Sequence, residues 1–309
     1  MIKLWPFMNS GKVLKQTRGR VWFVDNNAEG GADGRDWDNA YRTMAQAIAN
    51  VQSNDVIYFV GNIREQIDVP ANIFDVSIVG CGNKPRHSDL VAAGYGHRSQ
   101  TSACWIAPVT ASLTALTPLI TVRHQGWRFE NILFGWKSDS GTADAALVKL
   151  VSNQSSGVDE DDASHAAFIN CRFDGGLTGI EDAGGCSYVL VDNCLFRGIT
   201  DGTGSAIYNT DTGTRNPAFW EIRNCKFIDN DNHIVAKASK WFVWDNIFSA
   251  DSVTTKISFS GGVAGNIVTR NLLGGTFSHA GGYTEAGAAD EWAGNFNVLS
   301  GGVTAADPV

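Results

Sequence analysis

The chain has 309 residues, of which 43% are hydrophobic and 34 are glycine, enough apolar material to bury a substantial core in a single domain. Its formal net charge of −8 argues against nucleic acid as a partner, and no apolar run approaches the roughly 18 residues of a membrane span. The six cysteines, Cys81, Cys104, Cys171, Cys186, Cys194 and Cys225, stand singly without C-x-x-C pairs, which argues against a zinc site or a disulfide framework. No cofactor is expected.

Residues 1–20 carry Lys3, Lys12, Lys15, Arg18 and Arg20 and no acid, leaving 19 basic against 32 acidic side chains, a formal −13, in the rest of the chain. The same stretch holds Trp5, Pro6, Phe7 and Met8. Such a mixture reads either as a frayed terminus or as an anchor that orders on docking to an acidic assembly surface. Pro6, Asn9 and Ser10 interrupt its apolar stretch, so it does not read as an export signal. Further on, Met44, Ala47, Ile48 and Val51 fall at helical spacing behind Thr43, a good N-cap. This predicts a short amphipathic helix near 43–51, suited to cover the open end of a repeat structure.

Around that helix stand Val24-Asp25, Asp33-Gly34 with Trp37, Tyr41-Arg42-Thr43, Asp55-Val56-Ile57, Gly61-Asn62, Glu65 and Pro70. Over Val21 to Val79 this wording resembles the N-terminal part of right-handed parallel β-helix proteins of the pectate-lyase-like superfamily, most of all the β-helical virion and tailspike proteins of bacteriophages. The resemblance implies a fold more than a function, since the superfamily includes polysaccharide lyases, glycosidases, tailspikes and non-enzymatic virion proteins.

Next comes a repeat. The phrases "INCRF", "DNCLF" and "RNCKF", ending at Phe173, Phe196 and Phe227, recur with weaker copies ending at Phe134, Phe248 and Leu273. With Asn131, Asn170, Asn193, Asn224, Asn246 and Asn271 as register marks, the gaps are 39, 23, 31, 22 and 25. Short strands at such a period indicate a solenoid. Cys171 and Phe173 share a strand face, so stacking predicts a cysteine column beside a phenylalanine column, with the thiols as core filling. A second strand recurs around Ile180, Ile207, Ile234 and Ile257, and aligning these puts Glu181 and Tyr208 in one outward column. The expected fold is therefore all-β: a single right-handed parallel β-helix solenoid over residues 21–300, with a short N-terminal capping helix, behind the arm 1–20 and before a tail 301–309.

Candidate chemistry lies among outward acids, because adjacent rungs sit about 4.8 Å apart and paired carboxylates could serve glycoside cleavage. The candidates are Glu181, Asp229 and Asp231, although "DNDN" at 229–232 also reads as turn chemistry. The acidic run 158–162 reads as a solvated loop or a calcium site. Arg172, Arg197 and Lys226 point outward with no acid visibly stacked beside them, against a lyase. Tyr208, Trp241 and Trp244 are candidates for a glycan-stacking face or an oligomer interface. The resulting expectation is a bacteriophage virion structural protein, a head decoration or spike, assembled in the host cytoplasm as a homotrimer on capsid or tail proteins. The alternative is a tailspike enzyme acting on host surface polysaccharide.

Overall fold

In the computed structural model, the described residues are 19–28, 33–70, 72–81, 103–108, 114, 116–136, 145–152, 161–200, 204–209, 217–249, 255–260, 265–278, 281–287, 289–298 and 301–303. Lys3, Trp5, Phe7, Lys12, Lys15 and Arg18 lie outside them.

Each coil contributes one strand to each of three parallel sheets. Sheet A runs from Val21–Asp25 through Arg128–Glu130, Ala167–Ile169, Leu190–Asp192, Glu221–Arg223 and Phe242–Trp244 to Ile267–Thr269. Sheet B follows it through Leu133–Trp136, Arg172–Gly175, Leu195–Arg197, Lys226–Ile228 and Ile247–Phe248. Sheet C carries Ala146–Val151, Thr178–Ala183, Ser205–Asn209, Asn232–Ala236 and Thr255–Phe259. The long strand Val56–Ile63 belongs to both A and B, bending at Gly61, whose φ of 86° suits a residue without a Cβ.

Because the strands are parallel and in register, each inward position becomes a column. In sheet B, Phe134, Phe173, Phe196, Phe227 and Phe248 stack ring on ring at 4.6–5.2 Å. In sheet C, Ile180, Ile207, Ile234 and Ile257 align as the repeat predicted, and with them Glu181 beside Tyr208. The expected helix is present as Met44–Ile48, with Thr43 closing a capping box with Gln46. Met44, Ala47, Ile48 and Val51 join the core against Trp22 and Val24. The Glu65 carboxylate accepts from the Met44 and Ala45 N–H groups at 2.9 and 2.8 Å, so the following coil supplies the remaining N-terminal acceptors.

The corner between sheets A and B takes two residues. The first is left-handed: Asn131, Asn170, Asn193 and Asn224 at φ 54–58°, then Asp245 and Arg270 at 57° and Gly294 at 73°. The second points inward: Ile132, Cys171, Cys194, Cys225, Asn246, Asn271 and Asn295. This corrects the register marks. Asn246 and Asn271 belong to the cysteine column, one place after the left-handed asparagines, as the pairings Lys226 with Ile247 and Ile247 with Leu272 require.

The cysteines are more than filling. Each thiol donates to a carbonyl of the preceding coil: Cys171 to Phe129, Cys194 to Phe168 and Cys225 to Val191, at 3.4–3.5 Å. Asn246, Asn271 and Asn295 make the same bond through Nδ2, to Ile222, Val243 and Val268, at 2.8–2.9 Å. Their Oδ1 atoms also accept the N–H of Cys225, Asn246 and Asn271 respectively. Cysteine and asparagine thus fill one position because both are small and can donate there.

Two outcomes are expected. Thiol reagents should leave Cys171, Cys194 and Cys225 unlabelled until the chain is denatured, as a mass shift would record. Phe196→Ala should lower the unfolding free energy by about 3–5 kcal/mol in denaturant titrations, since its cavity opens in the middle of the ring column.

Candidate functional site

Glu181 is held on the outer face of sheet C by the alternation of Ile180 in and Glu181 out, with Lys149 on the preceding coil. The Lys149 ammonium lies 3.2 Å from its carboxylate, and Tyr208 follows on the next coil. Asp229 sits at the turn from B to C with φ 51°, and its carboxylate is 3.7 Å from the Arg197 guanidinium. Asp231 opens the way into sheet C, its N–H on the Ile199 carbonyl at 2.8 Å. The three acids therefore do not converge. Glu181 lies on a sheet face, whereas the other two belong to a turn two coils further on.

The aromatic candidates separate as well. Trp241 is completely buried, contrary to the expectation of an outward face. It precedes the strand Phe242–Trp244, shares parity with the inward Val243, and stacks on Trp220 at 4.7 Å while its Nε1 donates to the Pro217 carbonyl at 2.8 Å. Strict alternation in "WFVW" makes Phe242 and Trp244 the outward pair. Trp244 lies on sheet A under two guanidinium groups, Arg270 at 4.6 Å and Arg223 at 5.8 Å from its ring centre. Tyr208 is on sheet C, so it and Trp244 occupy different faces of the solenoid.

What the sequence pattern did not disclose is how completely the strand-borne acids are paired. Arg172 donates to both Asp174 oxygens, at 2.7 and 3.0 Å, within one strand. Arg223 bridges Glu221 at 2.8 Å and Asp192 at 3.0 Å, and Arg128 pairs with Glu130. The missing signal is an i, i+2 charge pair, which in a strand brings both groups to one face. Arg172 and Arg197 thus have acidic partners after all.

Two buried groups titrate unusually. Asp182 points inward beside outward Glu181, and burial pushes its carboxyl up to about 7 against bonds from the Cys186 and Gly185 N–H groups and the Asn209 amide. His233 is neutral between Asn230 and the Ser249 carbonyl, and burial, assisted by the Lys256 charge, pushes it down to about 4. Of the acidic run, Asp161 pairs with Arg123 at 2.8 Å and Asp162 accepts from Gln125 and the Ser164 N–H. Residues 153–160 lie outside the described residues. Among those described, no group of three or more His, Cys, Asp or Glu side chains is placed to hold a metal ion.

No family model matches the chain, and no curated protein does. Solved structures do. Escherichia coli YbhC aligns with a TM-score of 0.51 at 12% identity, covering 96% of this chain and 80% of that one. The pectin methylesterase of Aspergillus niger aligns at 0.46 with 14% identity, over 92% and 87%. The Dettilon tailspike protein aligns at 0.39 with 13% identity, over 90% and 62%. At such identities the likeness concerns architecture alone. The chain is a right-handed parallel β-helix.

The linkage signs differ for the two buried groups. The folded state keeps a proton on Asp182 that the unfolded chain has released, so this contribution is present at low pH and is lost as pH rises from about 4 to about 7. His233 acts oppositely, its contribution being lost as pH falls from 6.5 towards about 4. Asp182→Asn should therefore gain stability relative to the parent by roughly 2–4 kcal/mol between pH 5 and pH 8 in paired denaturant titrations. A constant difference across that range would place the Asp182 pKa elsewhere.

Proposed function

We propose that this β-helix is a non-catalytic structural subunit of a bacteriophage particle, a head decoration or spike protein, and not a polysaccharide-cleaving enzyme. The observation that carries the reading is the pairing of the acids. Glycoside cleavage needs two carboxyl groups about 5–9.5 Å apart with room between them for the sugar oxygen or a water. In the central coils, each carboxylate that a described strand carries outward, Glu130, Asp174, Glu181, Asp192 and Glu221, is instead closed by an arginine or lysine. Where two acids approach one another, at Asp192 and Glu221, Arg223 occupies the space between them. These are the faces of a rigid, charge-balanced rod.

The phage assignment is supported by the wording of residues 21–79 and by the fold. In this reading the basic arm anchors the rod to an acidic capsid or tail surface. Copies associate side by side as a homotrimer through the outer face of sheet B, where Ile247 and Phe296 are exposed. Trp241, being internal, has no part in that contact.

Incubation with capsule or lipopolysaccharide from the host should leave the glycan size unchanged. Shortened chains that persist with the parent but vanish with Glu181→Gln would overturn the structural reading. Deleting residues 1–18 should leave the melting temperature unchanged, since Gly19 and Arg20 already reach the Asp55 carboxylate through the Arg20 N–H, while abolishing recovery of the protein with purified particles. Ile247→Lys with Phe296→Lys should yield folded monomers in sedimentation; an unchanged trimer would move the interface off sheet B.

A further inference from the structure

Trp37 stands on a surface loop whose residues Asp33, Arg35, Asp36, Asp38 and Asn39 are all exposed. The indole itself is 42% exposed, unusual for so large a ring. The loop is nevertheless fixed. Asp36 accepts from the Asn39 N–H at 2.8 Å and from its amide at 3.0 Å, and the Gly34 N–H donates to the Asn39 carbonyl at 2.8 Å. The Gly34 carbonyl in turn accepts from the Phe23 N–H at 2.8 Å, binding the loop to the first strand of sheet A. Gly34, at φ 72°, packs so closely on the Tyr41 ring that a Cβ there would lie 2.2 Å from it. The indole meets Phe23 edge to face at 4.8 Å, and Phe23 leans on Tyr58 at 6.0 Å.

A rigid indole on a loop whose exposed neighbours in sequence are charged or polar, Arg35 facing Asp33 at 3.6 Å, has a limited set of partners. An apolar protein segment laid on it would have to strip water from Arg35, Asp36 and Asp38 without replacing those hydrogen bonds, which is unfavourable. A pyranose ring suits both parts. Its C–H face covers the indole, and its vicinal hydroxyls donate to carboxylates and accept from a guanidinium. The geometry points to Trp37 as the stacking platform of a carbohydrate subsite for pyranose units, with Asp38 and Arg35 as its polar contacts. The subsite binds without cleaving, and it lies at the capped end of the solenoid, away from the Lys149–Glu181–Tyr208 column. It goes beyond the structural role proposed above and does not depend on it.

The test uses the full chain with three neutral probes, cellohexaose, maltohexaose and dextran, followed by titration calorimetry and by acrylamide quenching of tryptophan fluorescence. At least one probe should bind and shield the exposed indole from the quencher. Trp37→Ala should weaken that binding about tenfold or more, with Trp37→Phe intermediate and Asp38→Asn weakened, all at an unchanged melting temperature. No binding of any probe by the parent, or binding that Trp37→Ala leaves intact, overturns the subsite. So does an altered oligomeric state of Trp37→Ala at the same melting temperature, which would assign the ring to a contact between chains. Binding with intact glycan length leaves the non-catalytic reading standing, so the two proposals fail separately.

Discussion

The two-residue corner between sheets A and B is the constraint on which the rest of the solenoid depends. One residue adopts a left-handed conformation, and the next points inward and, in every coil from Cys171 on, turns a donor back onto the coil before it. Asparagine tolerates the first position, and cysteine or asparagine satisfies the second. With the corner repeated from coil to coil, sheet B must begin at the same height in each coil, so Phe173, Phe196, Phe227 and Phe248 can only lie on top of one another. A donor lost from this column would remove one hydrogen bond between coils, at about 0.5–1.5 kcal/mol.

The same stacking determines what the surfaces can do. Rungs about 4.8 Å apart bring any two outward charges on successive coils, or two residues apart on one strand, within ion-pair reach. In this chain that proximity is used for neutralisation: Lys149 with Glu181, Arg223 with Asp192 and Glu221, Arg270 with Asp245. The arginines also lie over Trp244, one of the two outward aromatics of the strand Phe242–Trp244. A face built this way is balanced in charge. The exposed indole of Trp37 stands out against it because it lies on a locked loop outside the sheets.

Buried polar groups mark where the repeat departs from its apolar norm. Asp182 and His233 both point inward from sheet C, where neighbouring coils place Asn209 and Lys256. Each is held by hydrogen bonds within one or two coils, and the first cause of its unusual protonation is burial.

Much of the fold was legible in the letters because a solenoid writes its contacts locally. The spacing of "INCRF", "DNCLF" and "RNCKF" fixed a period, alternation fixed which side chains faced inward, and the isoleucines gave the sheet-C register with Glu181 beside Tyr208. The helix behind Thr43 was readable for the same reason, since its stripe and cap are neighbours in sequence. Three things were decided only in the folded chain. Asn246 and Asn271 moved by one place, because the left-handed position accepts Asp245 or Arg270 as well as asparagine, and one letter does not reveal φ. Trp241 went inside, because whether a residue just before a strand continues its alternation depends on the preceding turn. The acids lost their apparent freedom, because which charges face one another on successive coils is a matter of register, and register follows loops whose lengths vary from gap to gap. Composition and period thus determine that this chain stacks, and the turns decide which side chains meet when it does.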